Sequence, residues 1–150
     1  MKKLLIALFA SLFSLAFITA QAAVIKKSSV SEADNNALIG NWVNVNSKTR
    51  GLDKLIIKKN SLDGLSISAF GKCHPKDCAW GNVPLITYGK STTDKKMIYG
   101  LADWNPKFAT TTMKIEKLSG NKIRVTIFTA FKDKSNRFNY AHADTLKPVK

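Results

Sequence analysis

Two cysteines, two histidines and three tryptophans are the residues of this chain that most readily suggest chemistry. The cysteines fall in the run Cys73-His74-Pro75-Lys76-Asp77-Cys78. The residues between them fit one β-turn, with Pro75 suited to the second position of a type I turn. Such a turn brings the flanking cysteines to facing positions, within the separation a disulfide tolerates. In an oxidising compartment a lone pair this close is most simply a Cys73–Cys78 disulfide. Closing so short a loop stabilises by only about 2 kcal/mol, so its expected task is to pin that loop. Redox work fits less well, because it uses the Cys-x-x-Cys spacing. A thiolate metal site would need histidines as well, and His74 and His142 stand far apart in the sequence. Neither a metal nor a cofactor is expected.

Binding chemistry has more candidates than catalysis. Gly40-Asn41-Trp42-Val43-Asn44 opens the folded region, and in a strand Trp42 and Asn44 share a face. If that face is inward, Trp42 plugs one end of a core and the Asn44 amide needs a partner. A ligand is one such partner. Further aromatics, Phe70, Trp80, Tyr88, Tyr99, Trp104, Phe108, Phe128, Phe131, Phe138 and Tyr140, lie among basic residues. That mixture suits base or glycan stacking, and equally the core and rim of a small barrel. The core is the reading preferred here. His142 and Asp144 on one strand face suit the orientation of a base, yet no nucleophile accompanies them. The chain has no Gly-x-Ser-x-Gly elbow, His-Glu-x-x-His helix or glycine-rich phosphate loop. A non-enzymatic protein is expected, with an enzyme of unknown class as the third alternative.

These side chains must be positioned by short strands. From Leu38 onward, β-rich runs alternate with turn signals such as Asn46 to Gly51, Asn60 to Gly64, Gly89 to Asp94, Asn105 to Lys107, Ser119 to Asn121 and Asp133 to Asn136. With the Cys73–Cys78 turn they delimit eight strands, centred near residues 43, 56, 68, 82, 99, 114, 127 and 142. Alternation supports several. Leu65, Ile67 and Ala69 oppose Ser66 and Ser68, Met113 and Ile115 oppose Lys114 and Glu116, and Ile123, Val125 and Ile127 oppose Lys122, Arg124 and Thr126. An even number of strands joined by tight turns lets the last pair with the first, which removes exposed edges. The expected fold is therefore all-β, an eight-stranded antiparallel meander closed into a barrel. A barrel of this size either fills with side chains or holds one small ligand.

The Gly-x-Trp opening on such a meander resembles the calycin group, the lipocalins and avidins. Leu38-Ile39-Gly40-Asn41-Trp42-Val43-Asn44 is similar to the first strand of avidin-family proteins, which carry Gly-x-Trp-x-Asn there. His142-Ala143-Asp144-Thr145-Leu146 resembles that family's closing strand. The resemblance implies that Asn44 and Asp144 are hydrogen-bonding groups inside the barrel, with Trp80 and Trp104 as apolar walls. The Cys-His-Pro-x-Asp-Cys-x-Trp-Gly segment also resembles one found in uncharacterised bacterial secreted proteins. The expected ligand-binding set is Trp42, Asn44, Trp80, Trp104, Tyr140 and Asp144.

The ends and the charge set the context. Lys2 and Lys3, the apolar run Leu4 to Ile18 and Ala20-Gln21-Ala22 have the order of a cleavable signal peptide. Residues 1–22 are expected to be that leader, residues 23–37 a short flexible arm and residues 38–150 the barrel. The destination would be the periplasm or the outside of the cell, with no transmembrane span in the mature chain. The whole chain has 24 Lys and Arg against 10 Asp and Glu, a net charge of +14. That balance favours anionic partners. The reading with most support is an exported protein holding a small molecule in the open end of the barrel. The alternative is a basic surface that binds an anionic polymer or an acidic partner protein, nucleic acid being the weakest fit.

Overall fold

The computed structural model describes residues 33–61 and 64–149. The expected leader and most of the expected arm lie outside these residues. Eight strands, β1 (Gly40–Asn44), β2 (Leu52–Lys59), β3 (Leu65–Gly71), β4 (Cys78–Tyr88), β5 (Tyr99–Trp104), β6 (Ala109–Leu118), β7 (Lys122–Phe131) and β8 (Tyr140–Pro148), follow one another in a closed antiparallel barrel. All are within a few residues of the positions expected from the sequence. Closure is made where β8 meets β1, at Trp42–Pro148, Val43–Lys147 and Asn44–Leu146. The architecture is the one implied by the calycin resemblance.

Period-two patterning explains the core. Leu55 and Ile57 of β2, Ile67 of β3, Met113 and Ile115 of β6, and Ile123, Val125 and Ile127 of β7 are buried and form one cluster. Each buried aliphatic side chain of this size contributes about 1.5–3 kcal/mol. Their outward neighbours are polar or charged: Lys58 beside Ile57, Lys114 beside Ile115, Arg124 beside Val125. The middle of the barrel is thus filled with side chains, and space for a ligand is confined to its ends.

One end is closed. The segment 33–39 crosses it, with Leu38 wholly buried and Asp34 bridging to Lys96 in the β4–β5 connection. Trp42 donates its indole Nε1–H to the Leu38 carbonyl at 3.0 Å, and the Lys117 ammonium lies 4.5 Å from its ring centroid. Burial pushes the Lys117 pKa below its usual value, with nearby Lys96 acting in the same direction. In the part of the expected arm that is described, residues 33–37, Asn35 accepts a hydrogen bond from the Thr87 hydroxyl at 2.8 Å.

Two irregularities shape the other end. Between β3 and β4 the pairing passes from Ala69–Gly81 to Phe70–Ala79, so Trp80 is the extra residue of a β-bulge. Gly81, at φ +100°, holds a backbone conformation that a residue with a Cβ rarely adopts. In addition, β4 and β5 pair only at Ile86–Leu101, Thr87–Gly100 and Tyr88–Tyr99, toward the closed end. Pro84, two residues before Ile86, has no N–H with which to extend that ladder. Toward the open end, β4 and β5 therefore part.

The Cys73–Cys78 disulfide is present, its Cα atoms 5.5 Å apart. The turn it closes differs from the type I expectation, because the His74–Pro75 peptide bond is cis, an isomer that type I turns do not use.

Candidate functional site: the open end of the barrel

A pocket of about 400 Å³ occupies the end where β4 and β5 separate. Its walls come from residues at the start of even-numbered strands and the end of odd-numbered ones, which a meander brings to the same end. Trp80 opens β4, Trp104 closes β5, Thr111 lies near the start of β6, Thr129 and Phe131 near the end of β7, and Tyr140 begins β8. Phe108, from the β5–β6 loop, and Arg137, from the β7–β8 loop, complete the mouth.

The bulge aims Trp80. Without the extra residue, strict alternation with Val83 and Leu85 would send position 80 outward. In the structure the Trp80 ring meets Trp104 edge to face, with centroids 6.1 Å apart and an interplanar angle of 89°, an arrangement aromatic pairs favour. Trp104 is buried, and its Nε1–H points at the Gly81 carbonyl at 3.4 Å, bridging the gap that the β4–β5 ladder leaves. Gly71 across the sheet makes room for Trp80: a Cβ there would lie 2.8 Å from its Nε1. On the opposite wall Phe131 stacks on Tyr140 at 6.1 Å and Tyr140 on His142 at 5.8 Å.

Behind Tyr140 lies a polar pair. His142 Nε2 is 3.4 Å from Asp144 Oδ2, and these atoms, together with His142 Nδ1, are buried without a hydrogen-bond partner among the described residues. Gly51 sits against this imidazole; a Cβ there would be 3.5 Å from Nε2.

The β7–β8 loop is organised by its own side chains. Arg137 donates from Nη2 to Asp133 Oδ2 at 2.7 Å and from Nε to the Ser135 hydroxyl at 2.7 Å. Its guanidinium lies 3.9 Å from the Phe131 ring centroid and 5.8 Å from that of Phe108. Hydrogen bonds from Ser135, then from Arg137, hold the Asp133 carboxyl below its usual pKa. The loop is tied back to the barrel by Lys132, which donates its backbone N–H to the Phe108 carbonyl at 2.9 Å and its ammonium to Asn105.

Of the six residues expected from the sequence, the structure brings Trp80, Trp104 and Tyr140 together at this mouth. Asp144 lies inward of Tyr140 on the same strand face. Asn44 is also inward and 4% exposed. Its amide donates to the Leu52 carbonyl at 2.7 Å and its Oδ1 accepts from the Asn46 N–H at 2.9 Å, so its partners belong to the β1–β2 turn. Trp42 is at the opposite end, beside a second and more open depression shared with Asp34, Lys96 and Lys117. Thr111, Thr129 and Arg137 stand outside the expected set. Phe108 and Phe131 were visible only as members of the aromatic series. The usable signal was strand order, since in a meander the starts of even strands and the ends of odd ones share a rim.

Among the described residues no cluster of three or more His, Cys, Asp or Glu could hold a metal ion, and no helix is long and apolar enough to cross a membrane. The fold and site define a class, a closed antiparallel barrel with an aromatic pocket at one end. Beyond the class, no protein-family model, no curated protein and no solved structure matches the chain.

Proposed function

We propose that this is an exported, non-enzymatic binding protein that takes a small, flat, largely apolar molecule at the open end of its barrel. The observation that carries the reading is the convergence of Trp80, Trp104, Phe108, Phe131 and Tyr140 on one pocket of about 400 Å³. Small-molecule sites have this size and make-up, mostly apolar walls with a few polar groups to fix orientation. Thr111, Thr129 and Arg137 are the polar groups here. The calycin resemblance supports the same reading, since it implies a ligand held inside the barrel. Asp144 and His142 would meet any polar group that reaches past Tyr140.

The test is titration with the neutral probe N-phenyl-1-naphthylamine, followed by its fluorescence gain and by quenching of tryptophan emission. One molecule bound per chain is expected. Tyr140→Ala removes a half-exposed rim ring and should weaken the complex roughly tenfold, the scale of one lost stacking partner. Absence of saturable binding, or binding indifferent to Tyr140→Ala, removes the proposal.

A further inference from the structure

We infer that the ligand of this pocket is an organic acid, a planar apolar body bearing a single carboxylate, sulfonate or phosphate that Arg137 receives at the mouth. The inference rests on the binding reading above and adds the chemical class. Three observations carry it.

First, Arg137 is the charged side chain among the pocket's walls. It is held in place from both sides. The Phe131 ring lies under its guanidinium at 3.9 Å, and Asp133 and Ser135 take its Nη2 and Nε hydrogens. A guanidinium has five N–H groups in a fixed fork. The Asp133 and Ser135 bonds use two of them, which leaves the Nη1 edge for an oxyanion. Positioned guanidinium forks match carboxylate, sulfonate and phosphate oxygens in a way that a mobile ammonium does not.

Second, the loops that rim this end are cationic. The loops at the mouth, 45–51, 72–77, 105–108 and 132–139, carry eight lysines and arginines against two aspartates. A cationic rim around an apolar recess focuses field into the recess and raises the local concentration of anions.

Third, the remaining walls are aromatic rings, two threonines, Ala79 and Pro106, so the part of the ligand below the rim meets rings and aliphatic groups rather than charges. A positive rim over an apolar floor fits an amphipathic anion with its acid group outermost. It fits a long polyanion poorly, because the floor would go unused.

The experiment compares two probes that share one skeleton, N-phenyl-1-naphthylamine and its sulfonate, 1-anilinonaphthalene-8-sulfonate. Wild-type protein should bind the sulfonate the more tightly. Arg137→Gln should weaken the sulfonate about three- to tenfold more than it weakens the neutral probe, the range for a charge-assisted bond at a half-exposed site. Asp133→Asn loosens the loop but keeps the guanidinium, and should retain the preference for the sulfonate. Lys122→Gln removes the same unit of charge at the closed end and should alter neither probe. If the neutral probe binds as tightly as the sulfonate, or if Arg137→Gln weakens both alike, the acid is not read by Arg137 and the inference falls while the pocket stands. If neither probe binds, both fall. If the wild type holds heparin but does not distinguish the probes, the rim serves a polyanion and the inference is again overturned.

Discussion

Gly71 should be irreplaceable for a reason that the site itself supplies. A methyl group added there would stand 2.8 Å from Trp80 Nε1, 3.5 Å from its Cε2 and 3.6 Å from the Gly51 carbonyl oxygen. Only the first of these is shorter than real side-chain carbons tolerate. To regain ordinary contact, which begins at 3.4 Å, the indole must retreat by about 0.6 Å. Its movement is constrained by Trp104, whose ring it meets edge to face. Overpacking of this kind costs about 1–3 kcal/mol. Loss of glycine freedom from the unfolded chain returns about 0.4–1 kcal/mol. Gly71→Ala should therefore destabilise by about 1.3 kcal/mol, the difference between the midpoints of those two ranges. Trp80→Ala removes the obstructing ring, so in that background Gly71→Ala should cost nothing or stabilise slightly. Urea unfolding of the wild type, both single variants and the double variant gives the coupling directly. Near-ultraviolet circular dichroism of the same set should show the Trp80–Trp104 signal altered in Gly71→Ala. A Gly71→Ala protein as stable as the wild type, or a cost unchanged in the Trp80→Ala background, would refute the argument that Gly71 exists to admit Trp80.

Other outcomes follow from the same geometry. Asn44→Ala leaves the buried Leu52 carbonyl and the Asn46 N–H without their side-chain partner, so it should cost about 1–3 kcal/mol; a loss below about 0.5 kcal/mol in urea unfolding, well under that range, would show that the turn holds without it. The Asp133 carboxyl has a folded pKa lowered from 3.8 by hydrogen bonds, that from Ser135 foremost. A depressed carboxyl pKa gives a contribution present above the unfolded value and lost as pH falls through the folded one. The Arg137 tether should hold at neutral pH and release only below pH 3.8. Carbon-detected titration of the Asp133 carboxyl checks this, and a midpoint at or above 3.8 contradicts it.

Much of the fold was legible because a strand has a period of two and a barrel has an inside. Ile123, Val125 and Ile127 against Lys122, Arg124 and Thr126 fixed both the existence of β7 and its inward face. The pattern does not report height along the barrel axis. Trp42 and Trp104 both read as inward aromatics, yet one lies at the closed end and the other at the mouth. Height depends on the direction of each strand and on register, which alternation leaves free. Trp80 was indicated by the calycin resemblance and not by alternation. Alternation from Leu85 and Val83 turns position 80 outward, and only the bulge at Gly81 turns it back. Arg137 gave no periodic signal at all, because a loop places it through contacts with Asp133, Ser135 and Phe131 that are specific to the folded chain. Alternation left the direction of Asn44 open; the side chain is inward, but a buried amide needs only a partner, and here the neighbouring turn supplies one.

The two shortest ladders have a mechanical consequence. β1 meets β8 at Trp42–Pro148, Val43–Lys147 and Asn44–Leu146, and β4 meets β5 at Ile86–Leu101, Thr87–Gly100 and Tyr88–Tyr99. In a ring of eight these seams face each other across the barrel. They divide it into two half-shells, β1–β4 and β5–β8, each bound internally by longer ladders such as the unbroken run of β6 on β7 from Ala109–Phe131 to Leu118–Lys122. Backbone hydrogen bonds from Val45 to Thr145 and from Val149 to Asn41 extend the first seam, whereas the second opens toward the mouth, so the pocket lies where the two half-shells, its valves, are least joined. Trp80 belongs to one valve, and Trp104, Phe131 and Tyr140 belong to the other.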